Sequence, residues 1–256
     1  MMSKKVIWVI NQTAGKPDSG WGERHFYFAN YWVQKGYVVK IISGSYNHLF
    51  KKQIETTSKL FTYENVAPNI DFCWVKTPKY YDGGWRKFWS NFIFMCKLLF
   101  LTDKKLGKPT VILVSSMPIF PILNGYILKK KYKANKLLIE IRDLWPLTPI
   151  HLKGYSTKHP LVKIVGWFEK FAYQKSDAIV SLLPNAHTYI NPISKDASKF
   201  HWIPNGIDQS LLKSEALTVE VLAEIPKDKF IVGYGLDYNG LGRNLPAVYQ
   251  LTTETN

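Results

Sequence analysis

The stretch IEIRDLWP, residues 139–146, joins an apolar run to a charged, proline-terminated end. Its apolar positions Ile139 and Ile141 alternate with a charge, and the run then stops at Arg142, Asp143, Trp145 and Pro146. Alternation of this kind reads as the end of a buried strand. Pro146 cannot continue a ladder, so the sheet is expected to end there. The strand thus delivers a guanidinium and a carboxylate to its C-terminal edge, and in an open α/β sheet that edge is where ligands bind. On residue types alone, Arg142 and Asp143 read equally well as an ion pair capping the strand, because such pairs are common at surfaces.

Two further loops end at the same rim. The strand VIWVI at Val6–Ile10 runs into a polar loop, residues 11–19, and then into SGWGERHFYFANYWVQKG. Gly20 and Gly22 let the backbone approach a ligand closely, and a helix opening there points free N–H groups at it, which suits a phosphate. Phe26, Ala29, Trp32 and Val33 repeat at helical spacing, and Gly36 stops the helix before the strand at residues 37–42. The loop departs from the dinucleotide fingerprint, and a tight turn with no ligand is the competing reading. The other loop follows TVILV at residues 110–114, where Ser115, Ser116, Met117 and Pro118 precede an apolar helical stretch to Lys129. Serines ahead of a proline suit N-cap chemistry. Ser115 lacks the glycine frame of a nucleophile elbow, so the segment reads as a hydrogen-bonding loop.

Further strands are expected at Ile70–Val75 and at residues 137–141, 178–182 and 200–203. Connections of crossover length separate most of them, which predicts an α/β fold with a doubly wound parallel sheet. Pro204, Asn205 and Gly206 then break the chain. The expected organisation is a Rossmann-like domain over residues 1–207, a polar linker over 208–226, and over 227–256 a fragment of a second α/β domain. That fragment holds about one βα unit: a strand KFIVGYG from Lys229, the loop DYNGLGRN, and a helical start from Leu245.

With 256 residues, 46% of them hydrophobic, the chain can bury a substantial core. Its two cysteines, Cys73 and Cys96, lack paired spacing, which fits a reducing compartment. The six histidines are scattered without metal-ligand spacing, so no metal site is expected. The N-terminal apolar run is too short for a signal peptide and is used by the first strand, which points to the cytoplasm.

The charge is less ordinary: 34 Lys and Arg against 19 Asp and Glu give a formal net charge of +15, which favours polyanionic partners. Lysines crowd residues 129–136, and WRKFWSNFIFMCKLLFL at residues 85–101 is rich in aromatics with basic flanks. Trp85, Phe88, Trp89, Phe92, Cys96 and Leu99 share one helical face, while Ile93, Phe94, Leu98, Phe100 and Leu101 make the far half apolar nearly all round. Arg86, Lys87 and Lys97 interrupt it too often for a bilayer span. A helix lying in an anionic membrane interface, with Trp85, Phe88 and Trp89 inserted and Arg86, Lys87 and Lys97 toward lipid phosphates, fits the mixture. A helix packed in the core is the alternative.

Taken in order, SGWGERH, TPKYYDGGWRKFWSNFIFMCKLL, VSSMPIF, IEIRDLWP, KSDAIVSLLPNA and WIPNGID resemble the N-terminal half of a GT-B glycosyltransferase of family 4. The likeness is strongest to the bacterial enzymes that build O-antigen and capsular polysaccharide repeats on a lipid carrier. VGYGLDYNGLGRNL is similar to the first strand and Gly-rich loop of that family's C-terminal domain. The resemblance implies a retaining, metal-independent transfer from a nucleotide-sugar donor to a polyprenyl-diphosphate-linked acceptor, peripheral on the inner face of the cell membrane. It implies no cofactor, the nucleotide-sugar being a substrate. Asp143 would orient or deprotonate the acceptor hydroxyl, with Glu23, Arg142, Ser115 and Ser116 as acceptor-side residues and Gly20, Gly22 and Gly235 near the donor phosphates. The family's donor-binding basic residue and E-x7-E pair fall beyond Asn256, and Glu215, Glu220 and Glu224 do not reproduce that spacing. The chain is therefore expected to be a half enzyme: a truncated form, the product of an interrupted gene, or a subunit that needs a separate C-terminal-domain partner. A GT-B sugar epimerase or phosphorylase half would share the fold. A basic nucleic-acid-binding module would explain the charge, but the aromatics lie in one apolar block instead of alternating with Lys and Arg, so no nucleic acid is expected.

Overall fold

In the computed structural model the chain divides into two compact units, Met1–Pro204 and Asn205–Asn256. The structure describes residues 5–57, 59–81, 84–116, 118–206, 231–232 and 249–250. The first unit is built as β1 (Val6–Ile10), α1 (Arg24–Gln34), β2 (Val38–Gly44), β3 (Phe61–Ala67), β4 (Ile70–Val75), α2 (Trp85–Leu98) and β5 (Val111–Ser115). It continues with α3 (Ile122–Tyr132), β6 (Lys136–Ile141), α4 (Leu147–Lys153), α5 (Pro160–Lys175), β7 (Ala178–Ser181), α6 (His187–Ser194) and β8 (Phe200–Trp202). The eight strands form one sheet in the order β3-β4-β2-β1-β5-β6-β7-β8. Every neighbouring pair is parallel except β3 with β4.

The sheet is doubly wound, as the sequence predicts, and the period-2 alternation of β1 shows how. Ile7 and Val9 face a core shared with Phe26 and Ala29 of α1. Trp8 and Ile10 face the opposite core, filled by Phe94 and Leu98 of α2, Ile122 and Leu128 of α3, Val165 and Ala172 of α5, and Ile190 of α6. The handedness rule for parallel crossovers accounts for the split, because the chain steps one way from β1 to β2 and the other way from β5 through β8. Strands buried on both faces read as near-continuous apolar runs, which is how VIWVI reads.

Three expectations need correction. β3 is not among the expected strands. Thr62, Glu64 and Asn65 break its apolar alternation, and it survives as an antiparallel edge strand turned back through Asn69, whose φ of 61° is one that asparagine tolerates. β6 ends at Ile141, as the sequence predicts, level with the end of β5 at Ser115, and the next amide, Arg142 N–H, donates to Ser116 Oγ at 2.9 Å. The serines do not cap a helix. Pro121 occupies the N-cap of α3, and the helix runs past Lys129 to Tyr132. Finally, Tyr249–Gln250 is not helical. It pairs as a short antiparallel strand with Ile231–Val232, in keeping with the strand preference of aromatic and β-branched residues. The linker expected over 208–226, Gly235 and the loop around it lie outside the described residues.

Candidate active site

Alternation along β6 puts Leu137, Ile139 and Ile141 into one core and leaves Glu140 on the face covered by α1. Ser115, the last residue of β5, pairs in register with Glu140. The first turn of α1 supplies Arg24 and His25, so four polar side chains from three elements meet beneath the carboxyl edge of the sheet. Glu140 is 1% exposed. Its Oε1 accepts from Arg24 Nε at 2.9 Å, and its Oε2 accepts from His25 Nε2 at 2.8 Å and from Ser115 Oγ at 2.6 Å. Asn11 Oδ1 accepts from the backbone N–H and hydroxyl of Thr13. Its amide nitrogen is thereby turned to His25 Nδ1, 3.4 Å away. Burial pushes the Glu140 carboxyl up, but His25, Arg24 and Ser115 together outweigh burial and hold it below the usual carboxylate range.

Above this buried pair lies the rim. Arg142 and Asp143 are half-buried, and among the described residues no ion pair joins them. The two serines expected to face the acceptor are buried and bonded inward: Ser115 to Glu140, and Ser116 to the Arg142 amide while its own N–H donates to the Glu140 carbonyl. Glu23, just ahead of α1, is half-buried and accepts from Tyr27 Oη at 3.1 Å. Burial raises its pKa, opposed by the Tyr27 bond, supported by Asp18 and opposed again by Lys51.

The glycine loop has structural reasons of its own. Gly20 and Gly22 hold φ values of 68° and 79°, in the left-handed region, and a Cβ on Gly22 would sit 2.3 Å from the Thr13 carbonyl oxygen. At Gly20 a Cβ would come within 2.8 Å of the Lys51 stem, and the Lys51 amide donates to the Ser19 carbonyl. Lys51 therefore stands beside the loop, a cation that the sequence did not single out because 31 residues separate it from Gly20. Glu140, Arg24 and His25 were missed as well. The available signal was Glu140 itself, a carboxylate inside an otherwise apolar strand, where an unpartnered charge is too costly to persist.

The aromatic segment is placed with Ser90, Phe94 and Leu98 of α2 buried against the sheet. Trp85 is 71% exposed, Phe88 48%, Trp89 43% and Phe92 41%, so their shared face points to solvent. Arg86 is exposed and Lys87 half-buried, whereas Lys97 Nζ donates to the Lys76 carbonyl at 2.5 Å. Among the described residues no helix is long and apolar enough to cross a membrane, and no three His, Cys, Asp or Glu are grouped to hold a metal.

No protein-family model matches the chain, and no curated protein matches it in sequence. Among solved structures, the catalytic domain of starch synthase IV from Arabidopsis thaliana, bound to ADP and acarbose, is similar with a TM-score of 0.51 at 14% identity. The match covers 81% of this chain and 52% of that one, so the chain spans about half the length of that structure. A sucrose-phosphate synthase structure from Thermosynechococcus elongatus gives a TM-score of 0.49 at 13% identity, over 79% of this chain and 90% of that one. At this identity the starch synthase match shows the fold, the Rossmann-like α/β half expected from the sequence.

Proposed function

We propose that the chain is the acceptor-side portion of a retaining glycosyltransferase of family 4 type. It moves a sugar from a nucleotide-sugar to a polyprenyl-diphosphate-linked saccharide in surface-polysaccharide synthesis, docked on the cytoplasmic face of an anionic membrane. One observation carries this reading: at the carboxyl end of β6 the Asp143 carboxylate has no ion pair among the described residues, on a rim fixed beneath by Glu140, Arg24, His25 and Ser115. A ligand crevice beyond the carboxyl ends is where such a sheet places chemistry. The starch synthase domain that shares the fold is bound to ADP, which supports a nucleoside-diphosphate donor.

In this reading Asp143 orients the acceptor hydroxyl, and Arg142 and Glu23 contact the acceptor. Ser115 and Ser116 act through Glu140 and the Arg142 backbone. Gly20 and Gly22 give the donor phosphates close access to the loop, and Lys51 adds charge there. The acceptor oxygen bonds to the anomeric carbon as the bond to the diphosphate oxygen breaks, and the hydroxyl proton leaves with the departing diphosphate. Such a transfer gains its rate from positioning and from stabilising the leaving group, and it needs no enzyme nucleophile. The test is binding of a synthetic polyprenyl-diphosphate saccharide to the chain, followed by tryptophan fluorescence with and without a panel of nucleotide-sugars. Saturable binding that weakens in Asp143→Asn and Arg142→Ala supports the assignment. Absence of binding under every donor condition overturns it.

A further inference from the structure

The exposed aromatics of α2 do not stand alone. On α5, Trp167 is 54% exposed and Ile164 51%, and Lys163 and Lys170 are exposed beside them on the same outward stripe. Ring contacts run between the two helices: Phe88 to Phe120 at 5.9 Å, Phe120 to Phe168 at 5.0 Å, and Phe168 to Trp167 at 5.0 Å. On α2 itself Trp89 touches Trp85 at 6.2 Å and stacks on Phe92 at 5.6 Å. Both helices pack on the same face of the sheet. An apolar surface continuous across two helices exceeds the scattered single residues that a soluble surface normally shows.

Charge says what covers it. α2 contains no acidic residue, and the only one in α5, Glu169, is buried with its carboxylate bonded to Tyr173 and Tyr189. The two outward faces thus combine Trp, Phe and Ile with Arg86, Lys87, Lys163 and Lys170 and no exposed carboxylate, in a chain of net charge +15. That pairing of interfacial aromatics with cations complements an anionic bilayer. Its position is also informative. A Cβ on Gly166 of α5 would lie 3.6 Å from Pro146 Cγ, so α5 packs directly beside the segment that carries Arg142 and Asp143.

We propose that α5 is the second half of an anionic-lipid platform. The chain then meets the bilayer along α2 and α5 together, and the Asp143 rim opens at the platform's edge, where a lipid-linked head group emerges. This rests on the reading of α2 as a docking helix and of the acceptor as lipid-linked.

The test uses the full chain and sedimentation with phosphatidylcholine vesicles, with and without phosphatidylglycerol. Ile164→Ser with Trp167→Ser, and separately Lys163→Glu with Lys170→Glu, are compared with Trp85→Ser and Trp89→Ser, all confirmed folded by near-UV circular dichroism. The α5 variants are expected to lose partitioning to anionic vesicles as the α2 variants do. Each lysine reversal costs about fivefold or more, since a basic residue near such a surface contributes about 1 kcal/mol. Hydrogen exchange in α5 should slow on vesicle binding. Wild-type partitioning by the α5 variants, unchanged exchange in α5, equal binding to neutral vesicles, or a lipid-free dimer abolished by Trp167→Ser would each overturn the platform. Intact vesicle binding without any polyprenyl-diphosphate saccharide binding would instead strike only the transferase reading.

Discussion

Arg24 Nε lies 2.9 Å from Oε1 of Glu140, 116 residues further along the chain, and the same guanidinium donates to the carbonyls of Ile203 and Pro204 at 3.1 Å. One side chain therefore joins the first turn of α1, the end of β6 and the segment after β8. The rim depends on a buried charge pair as well as on apolar packing. Glu140→Gln removes the buried carboxylate that faces this guanidinium, at a site where Arg24 is 10% exposed and Glu140 1%. Breaking such a pair from one side costs about 3 to 5 kcal/mol. Urea unfolding at neutral pH measures the loss, and a change below about 1 kcal/mol would show that the pair does not hold the rim.

The same carboxylate predicts an acid limb. Its folded-state pKa is depressed, so its stabilisation is present above the unfolded carboxyl value, near 4.3, and disappears as pH falls through the folded value. Wild type should lose stability on acidification from about pH 5 downward. Glu140→Gln should show a flatter acid limb, and parallel limbs would remove Glu140 from the account.

Glu169 carries the opposite sign. Burial pushes its carboxyl up to about 7, against the hydrogen bonds from Tyr189 and Tyr173, at 2.7 and 2.8 Å. A raised carboxyl contributes stability below its unfolded pKa and loses it as pH rises through the folded value. Between about pH 4.5 and 7 the wild type should therefore become less stable relative to Glu169→Gln, by about 3 kcal/mol at most. Thermal midpoints of the two proteins across that range decide it; a constant difference from pH 5 to 8 contradicts the shift.

Much of this frame was legible in the sequence because β1, β2, β4, β5, β6 and β7 are buried on both faces, and their apolar runs announce themselves wherever they sit. β3 was not legible, since an edge strand is half wetted and FTYENVA carries its polar residues without strict alternation. Asp143 could be named because a carboxylate just past a buried strand points to the sheet's edge. The residues beneath it could not. Arg24, His25 and Ser115 converge on Glu140 across separations of 116, 115 and 25 residues, and no local pattern encodes such a meeting. For α2, periodicity marked two apolar faces but did not say which one the sheet covers. The buried Ser90, Phe94 and Leu98 answer that.

The two thiols should differ sharply in reactivity. Cys73 on β4 is fully buried, and burial pushes its thiol up to about 12 despite a hydrogen bond with Tyr63. At pH 8 its thiolate fraction is about one in ten thousand, whereas Cys96 on α2 is only half-buried. Native-state alkylation should label Cys96 first and Cys73 only on unfolding, read by mass spectrometry of the digested protein. Equal labelling under native conditions would show that β4 opens locally.

Gly22→Ala tests the loop ahead of α1. A Cβ there meets the Thr13 carbonyl at 2.3 Å, at a backbone φ of 79°. Left-handed strain costs about 1 to 3 kcal/mol for a non-glycine residue, and the clash adds to it, so the thermal midpoint should drop by several degrees. Gly36→Ala is the comparison. Its φ is 87° but no atom lies within 4 Å of a Cβ, so it reports the strain alone. Similar losses at both sites would mean that the loop relaxes around the new methyl group.

Asp143→Asn separates chemistry from scaffolding. No ion pair holds Asp143 among the described residues, so removing its charge should change stability by less than about 1 kcal/mol. Asparagine keeps the size and one acceptor oxygen, so the segment after β6, anchored through Arg142 N–H to Ser116, stays in place. A carboxylate that positions the acceptor hydroxyl is worth about 10²-fold in rate, and that factor should vanish in any active preparation containing this chain. Turnover and thermal midpoint are to be compared on the same sample, since a destabilised rim would lower both together. If turnover survives with an unchanged midpoint, Asp143 is not the catalytic carboxylate. Glu23, already held half-buried with a raised pKa beside Lys51, then becomes the group to replace next.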